Sequence, residues 1–286
     1  MSERPLARPA GERGPAWSWE FAPAHRTHLD HVARLESITP TWAWEGSTGA
    51  GVKVAILDSG VDNSHPLVDG RVKGWASFAR APDGTMQIDS APHEDSYGHG
   101  TACAGIIRLF APDAELYSIK VLGETLSGTS EILIEALRWT IDNDMDVVNM
   151  SLGSTNPQFF APLHRLVDEA YFEGIVLVTA ANNQPVPSYP SLYATVISVA
   201  CHEGREPYEI YYNPRPPVEF GAPGVNVTVA WKDGTAMAVP GNSYAAPHVS
   251  GLAAQILGKH PHLAPFQIKT ILRATSRNVS HRHARR

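Results

Sequence analysis

Short apolar runs recur along the chain, each ending in polar residues. VKVAILD (52–58), DVVNMSLG (146–153), GIVLVTAA (174–181) and ATVISVAC (194–201) are rich in β-branched residues and too short for helices. Their pattern predicts strands that are apolar on both faces. Between them, EILIEALRWTIDN (131–143) carries Ile134, Leu137, Trp139 and Ile141 at helical spacing. VDEAYFEG reads as the end of another helix, stopped by Gly174. A strand, helix, strand rhythm predicts an α/β fold: a three-layer sandwich with a mainly parallel central sheet flanked by helices. In such sheets the chemistry collects at the carboxyl ends of the strands. The first 26 residues, rich in Pro, Arg and Glu, are expected to be a disordered or short pro-like tail. The domain is expected over 27–276, followed by a basic tail at 277–286 that ends in HRHARR and reads as a solvated end.

The ends of the apolar runs supply the candidate chemistry. The first ends in Asp58, the second in Asn149, Ser151, Leu152 and Gly153, the third in Asn182 and Asn183. In SYGHGTACAGII (96–107), His99 stands between two glycines that let other groups approach the imidazole. In GNSYAAPHVSG (241–251), Ser243 precedes an apolar helix that buries Val249, Leu252, Ala253 and Ile256, with Gly251 allowing close packing. Pro247 is expected within the first turn of that helix, where its missing N–H costs nothing. Taken singly, Ser243 reads equally well as a helix N-cap; a strand-end turn residue is the lesser reading of Asp58, and a core histidine that of His99. Together they stand in the order Asp, His, Ser, one of the arrangements of the hydrolytic triad. A serine hydroxyl needs a base to take its proton, and the base needs a carboxylate to fix its tautomer.

With AILDSGVD around Asp58, GHGTACAG around His99, VVNMSLG around Asn149, TAANN around Asn183 and GNSYAAPHVSG around Ser243, the chain resembles the subtilisin-like serine peptidases from about residue 35 to 276. LYSIKVLG and the Ser-Gly before the long helix match as well. The resemblance implies a subtilisin-like fold and a serine endopeptidase. Asp58 would orient His99, His99 would act as general base and then general acid, and Ser243 would form an acyl-enzyme. Asn183 would donate its amide to the oxyanion with the N–H of Ser243, although Asn182, one position away, is the alternative. Ser151-Leu152-Gly153 resembles one edge that pairs with an extended substrate, and Ser127-Gly128 the other. Cys103, one helical turn after His99, resembles the cysteine of proteinase K-like members. It reads as a small buried residue, with a regulatory thiol as the other reading. Glu94 and Asp95 are expected in a solvated loop, the alternative being a preference for basic substrates.

Four features depart from the family pattern. Leu67 follows His65-Pro66 where secreted members carry a calcium-binding aspartate, and the chain runs from AGIIRLF directly into APDAELYSIKVLG. No tight calcium site, no other metal and no cofactor are therefore expected. Asn182 replaces a glycine of the S1 wall, and QPVPSYP (184–190) is short. Only about 30 residues precede the core, where secreted members have a long prodomain. Asn242 and Tyr244 replace the usual Thr and Met. Asn242 suits a turn, and Tyr244 is expected to reshape the floor beneath Ser243.

Composition narrows the partners. Net charge is -6 and the 23 basic residues are scattered, so no nucleic-acid surface is expected. No run approaches a membrane span. Cys103 and Cys201 make no disulfide framework. Without a visible signal peptide, a cytoplasmic protein is expected, acting on peptide or protein substrates. A maturation or leader-peptide protease is the expected role, with general turnover as the rival. A peptide-binding pseudoprotease is the alternative from another class. An α/β-hydrolase esterase is excluded, because it needs G-x-S-x-G and a histidine after the nucleophile. Natural substrate, P1 residue and oligomeric state stay open.

Overall fold

The structure is a computed structural model, described here for residues 37–81 and 83–279. The expected N-terminal tail and residues 280–286 lie outside the described residues. The elements, in chain order, are α1 (Pro40–Ala43), β1 (Lys53–Asp58), β2 (Val72–Arg80), β3 (Met86–Asp89), α2 (His99–Phe110), β4 (Glu115–Lys120), α3 (Ser130–Asp142) and β5 (Val147–Met150). After a 3-10 turn at Pro157–Phe159 come α4 (Phe160–Phe172), β6 (Val176–Ala180), β7 (Ile197–His202), β8 (Tyr211–Tyr212), β9 (Phe220–Pro223), β10 (Val227–Trp231), β11 (Thr235–Val239), α5 (Asn242–Lys259) and α6 (Pro265–Thr275).

A nine-stranded sheet runs in the order β3-β2-β4-β1-β5-β6-β7-β9-β8. Its pairs are parallel except at the two edges, where β3 and β8 run antiparallel to their neighbours. Strand β1 lies between β4 and β5, with Ile56 level with both Ser118 and Asn149. The period of two divides each central strand between two helical layers. Ala55, Leu57, Val148, Met150 and Leu177 join one core with Leu133 and Leu137 of α3 and Leu163 and Val167 of α4. Val54, Ile56 and Asp58 point to the other face, where α2 and α5 lie. There Gly251 of α5 crosses α2 so closely that a Cβ would stand 2.9 Å from the Ile107 carbonyl oxygen. The expected three layers and mainly parallel sheet are present.

Two expectations need correction. The run 194–201 pairs only from Ile197, because Tyr193 and Val196 are held in a turn by backbone bonds to Pro190 and Tyr193. Pro247 lies at the sixth residue of α5, beyond the first turn, and its missing N–H leaves the Ser243 carbonyl without a helical donor. Beyond α6 the chain stays on the domain as far as it is described. The Arg277 N–H donates to the Ile210 carbonyl, and Asn278 bonds both backbone groups of Tyr212.

Candidate active site

Asp58 ends β1 fully buried, and its two carboxylate oxygens each lie 2.8 Å from His99 Nδ1. It also accepts the Ser59 N–H at 2.8 Å. His99 opens α2 and is 5% exposed. Burial opposes a charge on its imidazole, but the adjacent Asp58 carboxylate outweighs burial and holds the pKa well above the ordinary value. Cys103, one turn along α2, sits beneath this pair, with Sγ 3.7 Å from Asp58 Oδ2 and 4.0 Å from His99 Nδ1. Burial, then the Asp58 charge, raise the thiol pKa, so Cys103 is a neutral donor and the charge His99 feels is that of Asp58.

The start of α2 is fixed by a carboxylate placed in a solvated loop by sequence. Asp95 is buried, and it accepts from Ser59 Oγ, Thr101 Oγ1 and the N–H groups of Tyr97, Gly98 and Thr101. Its chemistry is that of a cap at the positive end of a helix. Glu94 beside it is exposed. Gly98 has φ of +119°, and a Cβ there would overlap the Trp231 indole, so a larger residue would meet strain and a clash together.

Ser243 is the second residue of α5, whose N-cap is Gly241 and carries no capping side chain. The serine is therefore not the cap, and its N–H, in the first turn, has no acceptor within the helix. Its carbonyl, left free by Pro247, accepts the Ser151 hydroxyl at 2.8 Å. Ser151 in turn accepts from Asn149 Nδ2 at 3.0 Å, and Asn149 Oδ1 accepts from Ser250 at 2.9 Å. A buried polar chain thus ties the end of β5 to α5. Asn183 Oδ1 accepts the Asn242 N–H at 2.9 Å, which leaves its Nδ2 to face outward. A Cβ on Gly241 would lie 3.3 Å from Ser243 Oγ and 3.6 Å from Asn183 Nδ2. Hydroxyl and amide therefore border one space, which the glycine at φ +154° keeps open. Asn182 uses its Oδ1 to accept the Gln184 N–H.

Asn242 and Tyr244 do more than was expected of them. Asn242 bonds the Cys201 N–H and the carbonyls of Ala181 and Asn182, clamping α5 to the β6 and β7 ends. The buried ring of Tyr244 packs on His99, centroids 5.0 Å apart and planes tilted by 53°.

His99, Asn183 and Ser243 line a cavity of about 390 Å³ together with Ser127, Gly128, Ser151, Leu152 and Gly153. Both expected edges thus flank the three polar groups. Leu122, Leu126 and Leu133 supply apolar wall. A smaller recess of about 150 Å³ opens beside Ser243, walled by Ala180, Ala181, Asn182, Ser188 and Gly153. Its far side is set by the 184–190 loop, since Tyr189 pairs antiparallel with Ser154. Ser59 and Ser250 are site residues that sequence reasoning left without a role, and for Asp95 and Asn149 it missed the bonds they make. Their only signal is position, next to or near a candidate residue.

Two positions bear on the calcium site that the family resemblance implies. Leu67 is 49% exposed where an aspartate would stand. The α2–β4 connection is a tight turn in which the Ala114 N–H bonds the Ala111 carbonyl. Among the described residues, no helix is long and apolar enough to cross a membrane.

Comparison with known proteins gives the family. A family model described as "Subtilase family" matches residues 49–286. Subtilisin E of Bacillus subtilis (strain 168) is 37% identical over 247 residues, 81% of this chain and 62% of that protein. The chain thus spans less than two thirds of the length of several curated relatives. Subtilisin of Bacillus pumilus is 36% identical over 81% of this chain and 86% of its own. The crystal structure of a cold adapted subtilisin-like serine proteinase superposes with a TM-score of 0.64 at 28% identity, covering 78% of this chain and 81% of that one. The chain belongs to the subtilase family.

Proposed function

We propose that this chain is a serine endopeptidase that cleaves extended polypeptide segments through an acyl-enzyme. The observation that carries the reading is the buried Asp58–His99 pair facing the same cavity as Ser243 and Asn183. Ser243 Oγ attacks the scissile carbonyl while His99 Nε2 takes its proton. Asp58 holds the Nδ1 proton and balances the imidazolium. The oxyanion is met by Asn183 Nδ2 and by the Ser243 N–H at the positive end of α5. His99 then protonates the leaving amine, and water, deprotonated by the same imidazole, releases the acyl group. The substrate backbone lies between Ser127-Gly128 and Ser151-Gly153, adding a strand to either edge. The small recess, without charged walls, suits an uncharged P1 side chain of modest size.

A fluorophosphonate probe should label the wild type and not Ser243→Ala. An unlabelled wild type would favour a peptide-binding pseudoprotease instead. The finer role proposed is removal of a leader or pro-segment, a chain end that reaches the cleft already extended. Cleavage-site profiling on a diverse peptide mixture tests it, with Ser243→Ala as control. A narrow consensus supports processing, and broad digestion favours general turnover.

A further inference from the structure

We propose that Tyr97 and Trp231, backed by Tyr244, form a subsite for the residue that follows the scissile bond, and that it selects a large aromatic or apolar side chain there. The inference rests on the triad reading above. In that reading the acyl half of the substrate fills the cavity between Ser127-Gly128 and Ser151-Gly153. The leaving amine must take its proton from His99, so the first residue of the leaving product lies along the imidazole, on the side away from that cavity.

That side is aromatic. None of the three rings lines the acyl cavity or the small recess. They come from three separate places: the loop before α2, the end of β10, and α5. Tyr244 packs on the imidazole itself and, being buried, makes the back wall. Trp231 lies over Gly98, the residue before His99, and is half-buried. Tyr97 stands edge-on to Trp231, ring centroids 5.6 Å apart and planes at 66°. It is 37% exposed. Two large rings are thus held at the edge of a catalytic histidine with part of their surface left to water. An aromatic side chain completing the edge-to-face set would bury that surface. The rings alone would also attract a cation. Lys232, whose ammonium reaches the Ser96 carbonyl at 3.4 Å, sets a positive charge beside them and disfavours a basic residue.

The test is partitioning of one acyl-enzyme. The enzyme is acylated with a peptide ester, and water competes with phenylalanine amide, glycine amide or arginine amide for the acyl group. All products come from the same intermediate, so their ratio does not depend on how fast it forms. Phenylalanine amide should capture the acyl group about tenfold better than glycine amide, the gain from burying one aromatic side chain, and better than arginine amide. Tyr97→Ala, at an exposed ring, and Trp231→Ala should each cut the phenylalanine-to-glycine ratio severalfold. Equal capture of the phenylalanine and glycine amides, preference for arginine amide, or an unchanged ratio in a folded Tyr97→Ala would overturn the subsite while leaving the triad standing. Absence of ester turnover in the wild type would instead overturn the triad reading, and the subsite with it.

Discussion

His99 shows how far a single residue's behaviour is set by its neighbours. Asp58 raises its pKa well above the ordinary ~6.5. The free imidazole therefore holds its proton to higher pH than an ordinary histidine and acts as a base above that point. The acid limb of a kcat/KM profile on a peptide amide should lie above ~6.5, with activity falling as the pH drops through it. A limb at or below that value would sink the assignment of the Asp58–His99 pair. His248 moves the other way: burial pulls its pKa down to about 4, and Nδ1 lies 2.9 Å from the Tyr244 carbonyl. Unfolding lets it take up a proton, so its contribution to stability is intact above ~6.5 and drains away as the pH falls towards about 4. Melting temperatures should fall less steeply in His248→Gln over that window. Asn183→Ala tests the oxyanion donor. It should lower kcat by roughly the 10²–10³ known for the corresponding loss in a subtilisin, with little change in KM. Asp58, His99 and Ser243 were legible as candidates because hydrolytic chemistry needs those residue types together, whereas Asn183 entered only through the family resemblance. Tyr244 was not legible, because which group its ring covers depends on where α2 lies.

At the scale of elements, α2 and α5 carry the histidine and the serine, and each is aimed by contacts outside itself. The start of α2 hangs on Asp95, whose carboxylate gathers five donors. Asp95→Ala should cost about 3 kcal/mol by urea denaturation, since several of those donors become buried without acceptors. A loss near zero would return Asp95 to the solvated loop that its sequence context suggested. Helix α5 is aimed by Asn242, by Gly241, and by the Ser151 hydroxyl on the carbonyl that Pro247 leaves free. The helix itself was legible from Val249, Leu252 and Ile256. Pro247 was misplaced by a few residues, because nothing local says that the helix begins before the serine.

At the scale of the molecule, parallel strand order brings the ends of β1, β5 and β6 side by side, so Asp58, Ser151 and Asn183 meet across a long stretch of chain. The expectation of no tight calcium site rests on the short turn at 111–114 and on Leu67, where the family resemblance implies calcium-binding groups. Melting in excess calcium and in chelator should give the same midpoint. A clear rise with calcium would reveal a site built from other groups. The central strands were legible because they are apolar on both faces. Strands β2 to β4 and β8 to β11 were not, since their faces are mixed or exposed.

By itself the sequence determined the layered α/β class and offered Asp58, His99 and Ser243 in hydrolytic order, while the two substrate-pairing edges came only with the family resemblance. Apolar period and obligatory residue chemistry are local properties that survive without coordinates. Only the tertiary structure decided that Asp95 is a buried cap, that Ser151 holds the Ser243 carbonyl, and that Tyr244, Tyr97 and Trp231 gather beside His99. These depend on which distant residues share a neighbourhood, and that is settled by helix crossing and strand order rather than by any stretch of chain.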